Sequence, residues 1–289
     1  LGRHICKALL DAGHTITVLS RSPNKVASIP GLQEASGVQG DVTDPGSLSG
    51  VLDGADAVVG CVQFPNYPME QPRKGLTFDR YDREGTENLV AEAKRAGAGR
   101  YVYLSGAGAS ITSDKSWYRA KGYAEQSVMD SGLDYAIVRP SWAYGPEDKA
   151  LNRFAQIAKL SPVIPKLGTK LQQVEPIHVD DLALVVRRVF EREAWNRIFE
   201  IGGPQVMTMD AIIETMMAVT GKKRFVLPLP ESLVRVASAP LTLLPKPPMT
   251  PGGVAFATQD GLVDSSAMRE VLGVEPVDLA TGLSRYLAS

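Results

Sequence analysis

The chain has 289 residues, long enough for one large domain or for a core domain with a smaller cap. Its 31 lysines and arginines balance 32 aspartates and glutamates, which argues against a nucleic-acid-binding basic face and against a disordered acidic tail, and directs the search to a small-molecule partner. Cys6 and Cys61 are far apart, have no Cys or His neighbour at metal-ligand spacing, and read as reduced structural thiols, so no metal site is expected. With no signal peptide and no apolar run near the ~20 residues of a membrane span, a cytoplasmic protein is expected, or one peripheral to a membrane.

The first residues, LGRHICKALLDAG, read as an amphipathic helix with Ile5, Ala8, Leu9 and Ala12 on one side and Gly13 as its stop. TITVLS reads as a strand buried on both faces, GVQGD as a short strand, PGSLSGVLDG as a short helix opened by Pro45, and ADAVVGCV as another buried strand. RYDREGTENLVAEAKRAG is a charged amphipathic helix with Leu89, Val90 and Ala93 inward and Gly97 at its end. RYVYLSG, WYRAKGYAEQSVMDSG and DYAIVRPS continue as strand, helix and strand. This alternation predicts right-handed crossovers and an α/β, Rossmann-type doubly wound parallel sheet over residues 1–146.

Beyond residue 146 the rhythm loosens. A helix is expected near LNRFAQIAKL, a strand near QVEPIHV, a helix at DDLALVVRRVFE, a strand at IFEIGG and a helix at TMDAIIETMMAVTG. Residues 147–289 are therefore expected to form a smaller mixed α/β cap and C-terminal region, with some elements returning to the core. The proline-rich stretch from Leu227 to Pro251 reads either as a helix packed on that cap or as a surface for a lipid-like, membrane or protein partner.

Ligands of doubly wound sheets bind beyond the carboxyl ends of the strands. Those ends are Ser20-Arg21, Asp41-Val42, Cys61 to Gln63, Ser105-Gly106 and Pro140-Ser141. With them placed, the pattern resembles the extended and atypical branch of the short-chain dehydrogenase/reductase superfamily. Within that branch it is most similar to proteins related to the accessory dehydrogenase-like subunit of respiratory complex I, which are NAD-dependent epimerase/dehydratase-like. The resemblance spans nearly the whole chain, through LGRH, GDVTD, REGTENLVAEAKRAG, YVYLSG, RAK, VRPSWAYGP, HVDDLA and EIGGP in that order.

The resemblance makes residues 1–146 a dinucleotide-binding core and implies a Gly-x-x-Gly-x-x-Gly turn after the first strand, cradling the pyrophosphate. Gly2 matches its third glycine, so the sequence reads as lacking that strand at its N-terminus; the alternative is a chain that starts here without a pyrophosphate site. At the second strand end, LSRSPNK has no acid to hold both ribose hydroxyls and offers Arg21 and Lys25 to a 2′-phosphate, which implies NADP (NADPH) in preference to NAD. The other reading of those two residues is solvated charge at a helix start. Asp41 and Val42 match the position beside the adenine ring, and Asp41 also suits a turn. Arg139 and Pro140 match the loop lining the nicotinamide carboxamide; Asn152 and Arg153 read as substrate contacts or as a solvated helix start.

Active relatives pair a Tyr with a Lys four residues on, and add a Ser on the preceding strand and an Asn. Lys121 matches the Lys, but Trp117 stands at the Tyr position, Gly106 at the Ser position with Ser105 one residue early, and Asp82 at the Asn position. Tyr118 is the remaining candidate acid, although one residue of shift rotates a side chain by about 100° around a helix. A second candidate is Lys121 itself, if desolvation lowers its pKa. Asp180 or Asp181 reads as a helix N-cap, and His4 and His14 as solvent or turn residues. Two functions follow: an NADP(H)-binding protein whose cofactor is structural or regulatory in a redox or assembly role, or an NADPH-dependent reductase of a quinone, enone or similar conjugated acceptor.

Overall fold

The computed structural model describes residues 1–168 and 172–288. In the first half the elements are α1 (Gly2–Leu10), β1 (Thr17–Ser20), β2 (Ser36–Gln39), β3 (Ala57–Gly60), α2 (Gly85–Ala96), β4 (Arg100–Leu104), α3 (Ser116–Met129), β5 (Asp134–Pro140) and β6 (Trp142–Tyr144). Then come α4 (Lys149–Leu160), β7 (Val163–Leu167), β8 (Gln173–Val174), β9 (Pro176–His178), α5 (Val179–Glu191), β10 (Arg197–Ile201) and β11 (Met207–Thr208). The chain closes with α6 (Met209–Val219), β12 (Phe225–Leu229), α7 (Glu231–Ser238), α8 (Pro251–Ala257), α9 (Ser266–Leu272) and α10 (Leu279–Leu287).

The expected α/β alternation forms, with every strand pair of the core parallel. One sheet has the order β10-β5-β4-β3, and β1 pairs with β2 in another, Thr17 opposite Ser36 through Ser20 opposite Gln39. Val102, Leu104, Ala136, Val138, Phe199 and Ile201 fill one face of the larger sheet with Leu182 and Val186 of α5. Tyr101, Tyr103 and Ile137 fill the other against Val90, Ala124 and Val128. β10, from the later half of the chain, extends the larger sheet beside β5.

Four local expectations are corrected. TITVLS is not buried on both faces; Thr17 is exposed and Val18 to Ser20 are half-buried, and a strand is buried on both faces only where other elements pack over each of them. PGSLSGVLDG makes only a 3₁₀ turn over Pro45–Leu48, with the Asp44 carboxylate accepting from the Gly46 N–H. The RYDREG segment starts with one π-helical turn over Asp79–Glu84 before α2, and it turns Tyr81 and Asp82 inward. The N-cap of α5 is His178, whose Nδ1 accepts from the Asp180 N–H at 3.3 Å. Burial lowers the His178 pKa and so keeps the ring neutral with a lone pair for that bond. Asp180 and Asp181 fall in the first turn, where a negative charge suits the helix dipole.

The cap has its own core of Leu151, Ile164, Ile212, Ile213, Met216 and Leu283, contributed by α4, β7, α6 and α10. Asp148 starts α4 by accepting from the Ala150 and Leu151 N–H groups. β12 pairs in parallel with β7, and α7 then packs beside α8.

Candidate functional site

The ends of β3, β4 and β5 carry Cys61, Ser105-Gly106 and Pro140-Ser141 on the larger sheet, while Arg21 and Asp41 follow β1 and β2 of the other. A Cβ on Gly2 would lie 3.1 Å from Cys61 Sγ, so the N-terminus of α1 meets the end of β3 at a distance that favours glycine. Leu1 gives α1 no side-chain cap, and the first-turn amides are of the kind that hold an anion. His4 is not a free surface histidine. Its Nδ1 lies 2.6 Å from Asp180 and its Nε2 3.0 Å from Glu147, which also pairs with Arg3. Asn152 donates to the Gly145 and Pro146 carbonyls and so braces the loop before α4.

At the ends of β1 and β2, Arg21 is 61 % exposed and its guanidinium lies 3.9 Å from Asp41 Oδ2. Asp41 Oδ1 accepts from the Thr43 N–H (2.9 Å) and hydroxyl (2.8 Å), which fixes the turn and leaves Oδ2 facing Arg21. Val42 is buried and its carbonyl accepts from Asn88. Lys25 is exposed on the 3₁₀ turn Pro23–Ser28, in no ion pair among the described residues. The Pro140 carbonyl accepts from the Ala107 N–H, which fastens the end of β5 to the loop after β4.

Lys121 occupies the centre. Its Nζ donates to Asp82 Oδ1 at 2.7 Å and points at the Leu104 carbonyl at 3.4 Å; the side chains are 12 % and 1 % exposed. Burial pulls the ammonium pKa down, but the charge of Asp82 and the bond to it outweigh burial, and the net shift is upward. Lys121 therefore does not have the depressed pKa that would make it a ready proton donor. A Cβ on Gly106 would come within 3.5 Å of the Lys121 Cδ, so Gly106 does stand against the lysine where a serine would project. Ser105 Oγ and Asp82 Oδ2 are buried with no hydrogen-bond partner among the described residues. Buried polar atoms of this kind call for a partner such as a hydroxyl-rich ligand or water.

Trp117 is buried and donates its indole N–H to Gln259 Oε1 at 2.6 Å. Its ring packs on Phe256 (5.5 Å), Tyr118 (5.8 Å) and Phe78 (6.1 Å). Tyr118 runs along the Gly108 turn, where a Cβ would meet its ring at 2.9 Å, and no hydrogen bond joins it to Lys121 among the described residues. Burial raises the Tyr118 phenol pKa. The phenol that feels the Lys121 charge is Tyr67, from the loop after β3. Burial pushes its pKa up, with Lys121 opposing, and its ring lies against Phe78 and Phe256.

Arg139 makes a bidentate pair with Glu125 of α3, Nε to Oε1 at 2.8 Å and Nη2 to Oε2 at 2.5 Å, and Glu200 lies 3.6 Å away. The structure thus places this guanidinium between α3, β5 and β10. Glu125, Tyr67, Phe256 and Gln259 were not singled out from the sequence. A glutamate four residues after Lys121 was the one local signal available, and the others come from distant segments.

Gly122 sets how closely α3 approaches the loop after β4. A Cβ there would fall 2.5 Å from Ser110 C and Ile111 N, both backbone atoms. Gly122→Ala is therefore expected to cost about 1–3 kcal/mol, with a lower thermal unfolding temperature. An unchanged melting curve would show that the loop can retreat freely.

The arrangement suits a dinucleotide. An uncapped helix terminus beside the end of β3, a cation after β1, and a buried lysine beside the unpartnered Ser105 and Asp82 oxygens are the features a dinucleotide site would use. With the parallel sheets, they mark a Rossmann-type protein of short-chain dehydrogenase/reductase character. The chain belongs to the NAD(P)H-binding family, whose model matches residues 1–164.

It is 26% identical over 247 residues to NADH dehydrogenase (ubiquinone) 1 alpha subcomplex subunit 9, mitochondrial, of Arabidopsis thaliana, covering 83% of this chain and 60% of that protein. The chain thus spans about three fifths of the Arabidopsis relative. It is 23% identical over 295 positions to the mitochondrial NADH-ubiquinone oxidoreductase 40 kDa subunit of Neurospora crassa, covering 100% and 76%. Among solved structures, NADPH-dependent quinone oxidoreductase QOR2 of Escherichia coli, complexed with NADPH, matches with a TM-score of 0.73 over 98% of this chain and 95% of that one. At 20% identity that likeness is one of fold.

Proposed function

We propose that this protein binds NADP(H) and that the dinucleotide is mainly structural or regulatory, in a redox or assembly role like that implied by its kinship with complex I subunits. The observation that carries the reading is Trp117. It stands where the proton donor should be, is tied to Gln259, and is closed in by Phe78 and Phe256. An indole there fills space and cannot release a proton, while Lys121 is kept charged by Asp82. Bound NADPH would supply hydride chemistry; the residues present would hold its phosphates at α1 and Arg21 and its ribose near Lys121.

The second reading is a reductase of a quinone, enone or similar conjugated acceptor. The fold this chain shares with a quinone oxidoreductase favours it. Such acceptors yield stabilised anions that solvent can protonate.

The test is a titration with NADPH and NADH by nicotinamide fluorescence, followed by absorbance at the NADPH band after adding quinones and enones. Tight binding without oxidation supports the first reading. Oxidation with any of these acceptors replaces it with the second, and no binding of either nucleotide removes both.

A further inference from the structure

Exposed apolar side chains are concentrated in one stretch of the chain. Of twelve exposed large hydrophobic side chains among the described residues, six lie between 225 and 244: Phe225, Leu227, Leu233, Val236, Leu243 and Leu244. Val236 and Leu243 are 75 % and 76 % exposed. Single exposed leucines are ordinary, but half of a protein's exposed large apolar groups within twenty residues mark an interaction surface. The elements explain the arrangement. α7 buries Ser238 and half-buries Val234 while Leu233 and Val236 stay exposed. The 3₁₀ turn Pro240–Leu243 that follows puts Leu243 into solvent as well.

Charge indicates what covers this surface. Between 222 and 250 there are five cations, Lys222, Lys223, Arg224, Arg235 and Lys246, against the single acid Glu231, in a chain whose formal net charge is −1. Lys223 and Lys246 are exposed and in no ion pair among the described residues. Basic side chains interleaved with exposed Leu, Val and Phe suit an anionic lipid surface, where the apolar groups enter the acyl boundary and lysines extend to the headgroups. The core of a protein–protein contact is enriched in aromatic residues and arginine and depleted in lysine, whereas the exposed groups here are mainly leucine and valine with exposed lysines among them. No helix among the described residues is long and apolar enough to cross a membrane, so the contact is peripheral.

We propose that residues 222–250 dock this protein onto an anionic lipid bilayer, with Leu233, Val236 and Leu243 inserted and Lys223 and Lys246 at the headgroups. This does not rest on the cofactor role proposed above.

The experiment is co-sedimentation of the full chain with vesicles of phosphatidylcholine alone and of phosphatidylcholine with about a third phosphatidylglycerol, at low and high salt. Binding to the anionic vesicles is expected to exceed that to neutral ones by about ten-fold or more and to weaken with salt. V236E/L243E should reduce it by about ten-fold, and K223E/K246E should remove the preference for anionic lipid, both with unchanged thermal unfolding because all four side chains are exposed. Equal binding to both vesicle types, or none, overturns the proposal. Self-association in solution that V236E/L243E abolishes, with no vesicle binding, also overturns it and assigns the face to a second copy of the chain.

Discussion

Lys121→Met is expected to lower stability by about 3–5 kcal/mol, because it strands a buried carboxylate. Asp82 is 1 % exposed, Lys121 is its ion-pair partner, and its second oxygen already lacks a hydrogen bond among the described residues. For a chain of this length the loss corresponds to a fall in unfolding temperature on the order of 10 °C. Removing both charges is a different experiment. Asp82→Leu with Lys121→Met leaves no uncompensated charge and should recover most of the loss, so a double-mutant cycle will show strong coupling. The pH dependence has a definite sign. Since the folded state raises the Lys121 pKa, its contribution is complete below the ordinary lysine value of about 10.4 and is lost as pH rises through the higher folded value. Wild type should therefore hold its advantage over Lys121→Met from neutral pH to about pH 10 and lose it only in stronger alkali. A loss smaller than about 1 kcal/mol at pH 7 would place the pair in the solvent-screened class.

The sequence made the core legible wherever one local pattern decided the outcome. Apolar runs between turn residues located β3, β4 and β5, whereas the pairing of Gly106 with Lys121 came from the family resemblance. What failed depended on neighbours. The burial of β1 was overestimated, since a strand is buried on both faces only where other elements pack over each of them, and an apolar run alone does not show that they do. Arg139 was matched through VRPSWAYGP to the loop lining the nicotinamide carboxamide, and no local pattern carried its pairing with Glu125, which lies on another element. The closure of Trp117 was invisible for the same reason, since Gln259 is 142 residues away in the chain. The cap of α5 was misassigned because two aspartates obeyed the usual preference, while the buried neutral ring of His178 reached the Asp180 amide first.

The proposed preference for NADPH assigns the 2′-phosphate to Arg21, which is 61 % exposed, and Arg21→Ala is the variant that tests it. Arg21 faces Asp41 across 3.9 Å, too far for a full hydrogen bond, so the guanidinium can turn to a 2′-phosphate without breaking a strong pair. Its removal is expected to weaken NADPH binding by about ten-fold, the modest end for a charge-assisted contact at an exposed site, and to leave NADH binding within about two-fold. Raising salt should shrink the wild-type preference in the same direction, since the interaction is screened over roughly 10 Å at 0.1 M. Equal loss for both nucleotides would mean that Arg21 shapes the turn with Asp41 and does not read the phosphate. No loss for either, in a protein that still prefers NADPH, would transfer the role to Lys25, which lies four residues on and is in no ion pair among the described residues.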